Sequence, residues 1–135
     1  VGAALAMTPI SNDASFGIEL ELTCAPSASH RTIASTVRSR AGVQVFVIMD
    51  YTEGRAQVNG WKLVHDGSIA CDRGAPNCTK FELVSPVLKG EQGLNEVFNV
   101  LKALNGIDSI AVNKSMGFHV HIGVEGYDLS SLIKI

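Results

Sequence analysis

Three short segments, residues 16–23, 79–86 and 118–123, alternate apolar side chains with acids or imidazoles. That period of two constrains the fold more than any other feature of the chain. Successive side chains of a strand point to opposite faces. Phe16, Ile18, Leu20 and Leu22 therefore share one face, and Glu19 and Glu21 share the other. The same count sets Glu82 against Phe81 and Leu83, and His119 and His121 against Phe118, Val120 and Ile122. The reading is one sheet with an apolar face turned to helices and a polar face gathering three carboxylates and two imidazoles.

The rest of the chain supplies elements to complete such a sheet. Residues 25–29 read as a Pro/Ser turn, and residues 31–40 as a helix with Ile33 and Val37 on its inner side and Gly42 placed as its C-cap. Residues 44–51 and 61–65 read as strands joined through a turn over 53–60, which predicts a hairpin. Gly67, Gly74 and Pro76 make 66–78 a loop. Leu94, Val97, Phe98, Leu101 and Leu104 form a stripe that predicts a helix over 92–104 lying on the sheet, stopped by Asn105-Gly106. Residues 109–113 then read as a strand, 114–117 as a turn, and 118–123 as its hairpin partner. Residues 129–135 open a further helix. The class is α+β, an antiparallel, hairpin-built sheet with helices on one face. Residues 1–15 form an N-terminal extension and 16–135 one domain, for which 46% hydrophobic residues supply an ample core.

Charge and hydropathy exclude two kinds of partner. Eleven basic and thirteen acidic residues leave a net charge of −2 with no Lys/Arg run, so nucleic acid is not expected. No apolar stretch reaches the length of about 20 residues that a membrane span needs. The chain opens on Val1, and Ala4-Leu5-Ala6 lacks the charged flank of a signal peptide. It reads as an extension of a cytoplasmic protein, with secretion as the alternative. Cys71 and Cys78 bracket a loop and can bridge in an oxidising compartment, which leaves Cys24 over. Asn77-Cys-Thr79 and Asn113-Lys-Ser115 fit the glycosylation pattern.

Glu19 and Glu21, about 7 Å apart along a strand, suit one or two hard cations with oxygen ligands; the alternative is a solvated strand face. His119 and His121 repeat that spacing with imidazoles, either on a metal or phosphate oxygens or as hydrogen-bonded structural residues. Asp66-Gly-Ser68 follows a strand, so Asp66 either meets substrate or cation or closes an Asx turn. Trp61 and Phe16 read as core anchors. No nucleophile elbow and no Walker-type glycine loop is present.

The order of the pieces adds to this: Phe16-Gly-Ile-Glu-Leu-Glu21, Trp61-x4-Asp66-Gly-Ser-Ile69, Phe81-Glu-Leu-Val-Ser-Pro86 and Asn113-x2-Met-Gly-Phe-His-Val-His121. The series resembles the amidoligase family, which is similar in fold to the glutamine synthetase and glutamate–cysteine ligase group. The resemblance implies ATP-dependent joining of a small-molecule or peptide carboxylate to an amine. It also implies that Glu19, Glu21, Glu82 and His119 hold Mg²⁺ or Mn²⁺, that His119 lies at the metal or the transferred phosphoryl group, and that His121 and Ser68 contact the nucleotide. Asp66 would face the substrates. Family members normally continue past the His pair with an arginine-bearing segment. A chain that stops at Ile135 therefore reads as a domain truncated at its C-terminus, with an unpaired edge that favours a homo-oligomer. Two other classes stay open: a non-catalytic binding or assembly module, and a metallohydrolase with zinc on His119 and His121.

Overall fold

The computed structural model describes residues 14–49, 58–113 and 116–123. The first strand, β1 (Ser15–Cys24), is followed by α1 (His30–Ala41), β2 (Val45–Ile48), β3 (Trp61–Val64), β4 (Thr79–Val84), β5 (Leu88–Lys89), α2 (Gly90–Asn105) and β6 (Phe118–Ile122). They build one six-stranded sheet in the order β2-β3-β4-β1-β5, with β6 also paired to β1. The class is α+β. No helix among the described residues is long and apolar enough to cross a membrane.

Alternation in the strands decides which face is buried. Ile18, Leu20 and Leu22 of β1, Phe81 and Leu83 of β4, Trp61 and Leu63 of β3 and Val45 of β2 form the core with Ile33, Ala34 and Val37 of α1 and Val97, Val100 and Leu104 of α2. Both helices pack on this face. At the start of α1 the Ser29 hydroxyl accepts the Thr32 N–H, and at its end Gly42, in the left-handed region at φ 69°, donates its N–H to the Arg38 carbonyl. At the end of β4 the Ser85 hydroxyl, 2.8 Å away, accepts the Ile18 N–H, while the Ser85 N–H donates to the Ile18 carbonyl. The Ser85-Pro86 corner thus keeps β1 hydrogen-bonded where β4 gives way to β5.

Three expectations are corrected. First, β2 and β3 run parallel, with Val45 beside Trp61 and Ile48 beside Val64, and not as a hairpin. The Trp61 N–H donates to the Gln44 carbonyl at 2.9 Å, which sets the start of one strand beside the start of the other. Gly60 allows this: a Cβ there would lie 2.8 Å from the Gln44 Cβ and 2.9 Å from its carbonyl oxygen. The expected turn falls largely on residues 50–57, outside the described residues.

Second, the partner of Phe118–Ile122 is β1 and not residues 109–113, which make only an isolated bridge between Ala111 and Thr23. Ser109 has φ 69°, which breaks an extended run, and its hydroxyl accepts the Ala25 N–H. Third, α2 is rotated about its axis from the expected stripe. Val97 and Leu104 are buried, but Leu94 and Phe98 are 60% and 64% exposed, and Val100 and Ala103 face inward instead. The bond from Trp61 Nε1–H to Glu96 Oε1, 2.8 Å, fixes that rotation. The expected helix over 129–135, and residues 114 and 115 of the expected turn, lie outside the described residues.

Candidate functional site

Strand registers bring the predicted side chains to one face. Glu19 pairs with His119 on β6, and Glu21 pairs with Glu82 on β4. His121, two residues from His119, shares its face. The opposite faces of the same pairs put Ile18 beside Val120 and Leu20 beside both Phe118 and Leu83. Phe118, Val120 and Ile122 do lie on the apolar side, yet they are 55%, 50% and 47% exposed, so they are not core residues as the alternation suggested. The helices stop short of β6 and leave an open apolar trough between α2 and β6, lined by Phe16, Leu94, Val97, Phe118, Val120 and Ile122. The trough is on the far side of the sheet from the carboxylates and has none of their chemistry.

On the polar face, Glu19 is held by both imidazoles. His121 Nε2–H donates to Glu19 Oε2 at 3.0 Å, and His119 Nδ1 lies 3.5 Å from the same oxygen. An ionised carboxylate only accepts, which makes His121 the donor of its bond, while His119 stands within ion-pair distance. Glu21 locks the start of β6: its Oε2 accepts the Gly117 N–H at 2.8 Å, and its own N–H donates to the Gly117 carbonyl at 3.1 Å. The glycine at 117 is required by close approach, since a Cβ there would lie 2.7 Å from His119 Nε2. The glycine before the His pair thus lets the imidazole fold back over the strand.

Glu82 carries the electrostatic signature of the face. Its carboxyl titrates above the usual glutamate range, first because it is partly buried and then because Glu19, Asp66 and Glu21 add like charge, with His119 opposing. Three carboxylates, from β1 and from the loop after β3, therefore act on Glu82. Asp66 reaches this group from the loop after β3. Its Oδ1 accepts both the Ser68 N–H at 2.9 Å and the Ser68 hydroxyl at 2.6 Å, so the Asx-turn geometry is present and Ser68 is spent on it. Cys71 and Cys78 form a disulfide that closes the same loop, and Cys24 is free and buried. Asn113 Nδ2 donates to the Ala70 carbonyl and to Asp72 Oδ1, which ties the loop to the segment leading into β6.

The donor set fits a hard divalent cation in chemistry: carboxylate oxygens at i and i+2 of one strand, with a third directly across from Glu21. Among the described residues, no three His, Cys, Asp or Glu side chains already converge on a point where an ion would be held. Glu19 is turned to the imidazoles and Glu21 to Gly117, so a cation would take over bonds that these carboxylates now make within the protein. Reading the sequence alone missed the Glu21–Gly117 lock and the Ser85–Ile18 bond. It also passed over the outer residues of β2 and β3, Phe46, Ile48, Lys62 and Val64, which the same period of two places on the polar face.

A family model described as "Putative amidoligase enzyme" matches residues 12–135. No curated protein and no solved structure matches the chain.

Proposed function

The chain belongs to the amidoligase family, and on that premise we propose that its carboxylate–imidazole face binds Mg²⁺ or Mn²⁺ with ATP and serves the joining of a carboxylate to an amine. The observation that carries the reading is the crowding at Glu82, where partial burial and then the like charges of Glu19, Asp66 and Glu21 oppose its ionisation and His119 offsets only part of that. Such a cluster is costly without a counter-charge and well suited to a divalent cation. Glu19, Glu21 and Glu82 are the oxygen ligands in this reading, with His119 beside them. A bound cation would offset charge on the phosphate oxygens during phosphoryl transfer.

The chain's own residues would do the rest. His119 and His121, both well exposed and both close to Glu19 Oε2, can turn their N–H groups to phosphate oxygens once Glu19 takes a cation. Asp66, held in place by Ser68, presents the remaining carboxylate at the rim and can attract the ammonium or amine of the second substrate.

The test is thermal. Millimolar Mg²⁺ or Mn²⁺ should raise the melting temperature; a concentration 100-fold above Kd corresponds to about 2.7 kcal/mol. Glu19→Gln combined with Glu21→Gln should abolish the gain. A wild-type melting curve that ignores both cations overturns the reading.

A further inference from the structure

The polar face is chemically graded from one side of the sheet to the other. Taken across the strands, one row runs Phe46 on β2, Lys62 on β3, Val84 on β4, Glu19 on β1 and His119 on β6. The next runs Ile48, Val64, Glu82, Glu21. Carboxylates and imidazoles occupy β4, β1 and β6, whereas an aromatic and two aliphatic side chains occupy β2 and β3, with Val84 a third aliphatic on β4. Lys62 stands at the boundary. Strands are about 4.8 Å apart, so Lys62 and Glu19 are separated by about 10 Å and Phe46 lies one strand further out.

We propose that this row is the seat of the nucleotide, with the phosphates spanning from the Glu19 side to Lys62 and the base lying on the ring of Phe46. The inference rests on the reading of the site given above and extends it to two residues outside the family-like motif positions for metal and phosphate. An ATP molecule has the same polarity as the row: a planar aromatic base at one end and a polyanion, bound through a cation, at the other. Phe46 is 41% exposed, which leaves a ring face for stacking. It is also held in place from below. A Cβ on Gly60 would come within 2.9 Å of Phe46 Cε2, so the ring lies directly on the bare backbone of that residue. Lys62, on a strand between Phe46 and Val84, is a compact cation suited to phosphate oxygens. By register Lys80 and Lys89 also fall on this face of the sheet, but the row of Lys80 leads to Thr23 and Ala111 and that of Lys89 to Ser15, not to Glu19 and His119.

The test measures binding of ATP and of inorganic tripolyphosphate to the whole chain in the presence of Mg²⁺, by calorimetry. Phe46→Leu should weaken ATP binding at least about fivefold, in keeping with the measured range for base–aromatic stacking, and leave tripolyphosphate binding unchanged. Lys62→Gln should weaken both ligands, and Lys62→Arg should restore both. Neither variant should alter the melting-temperature gain given by Mg²⁺ alone. ATP binding that survives both Phe46→Leu and Lys62→Gln overturns the seat and leaves the proposed function standing. A wild-type protein that responds to Mg²⁺ but binds neither ATP nor tripolyphosphate overturns the seat together with the ATP-dependent part of that function.

Discussion

Glu82 is where burial and like charge meet, and its titration links the site to stability. Its folded-state value lies above that of an unfolded chain. The stability associated with its protonated form is therefore fully present below the ordinary glutamate value and is lost as pH rises through the raised folded value. At pH 7 and without divalent cations the wild type carries the cost of ionising Glu82. Glu82→Gln should melt above wild type at pH 7, and the difference should close as the pH is lowered to about 4. Melting curves at the two pH values check this, and equal melting at pH 7 would contradict the charge crowding. At this scale the sequence was readable wherever period two applied. Glu19, Glu21, Glu82 and the two histidines share a face because each stands next to apolar neighbours that must turn inward. The Glu21–Gly117 bond was not readable, because it joins residues 96 positions apart through a backbone donor.

Among the elements, α2 shows why helical periodicity predicts a helix better than its rotation. Leu94, Phe98 and Leu101 are more apolar than the face that is buried, yet Trp61 is fully enclosed and its indole N–H needs an acceptor. Glu96 supplies it at 2.8 Å, and the turn of helix that presents Glu96 to the sheet carries Phe98 outward. Glu96→Ala should therefore cost about 1–3 kcal/mol, the penalty for a buried donor left without a partner, whereas Glu96→Gln keeps an acceptor oxygen and should cost less. Urea unfolding of the two variants makes the comparison, and an equal loss would show that packing and not the bond orients α2. The parallel pairing of β2 with β3 was hidden for a related reason. Turn-type residues between two strands signal a reversal of the chain, whereas the decisive contact is the Gln44 backbone against Gly60.

For the molecule as a whole, the loop between β3 and β4 is the one covalently closed segment among the described residues. The Cys71–Cys78 bridge ends where β4 begins, and Asn113 ties the loop to the approach to β6. Closing a ring of this size removes chain entropy worth about 2 kcal/mol from the unfolded state. The double variant Cys71→Ser, Cys78→Ser should lose roughly that much stability, and a dithiol reductant should lower the unfolding midpoint of wild type but not of the variant. An unchanged wild-type midpoint under reductant would mean that the bridge adds nothing to the fold.

β1 has neighbours on both sides, whereas β6 pairs with β1 and carries its side chains exposed on both faces. The two halves of the site therefore keep different time. Glu19 and Glu21 stand on a strand paired on both sides, while among the described residues the strand of His119 and His121 is paired on one side, which sets it nearer the less protected end of the stability range. On this ordering the carboxylates form a standing template, and the imidazoles belong to the strand whose amide hydrogens should exchange first.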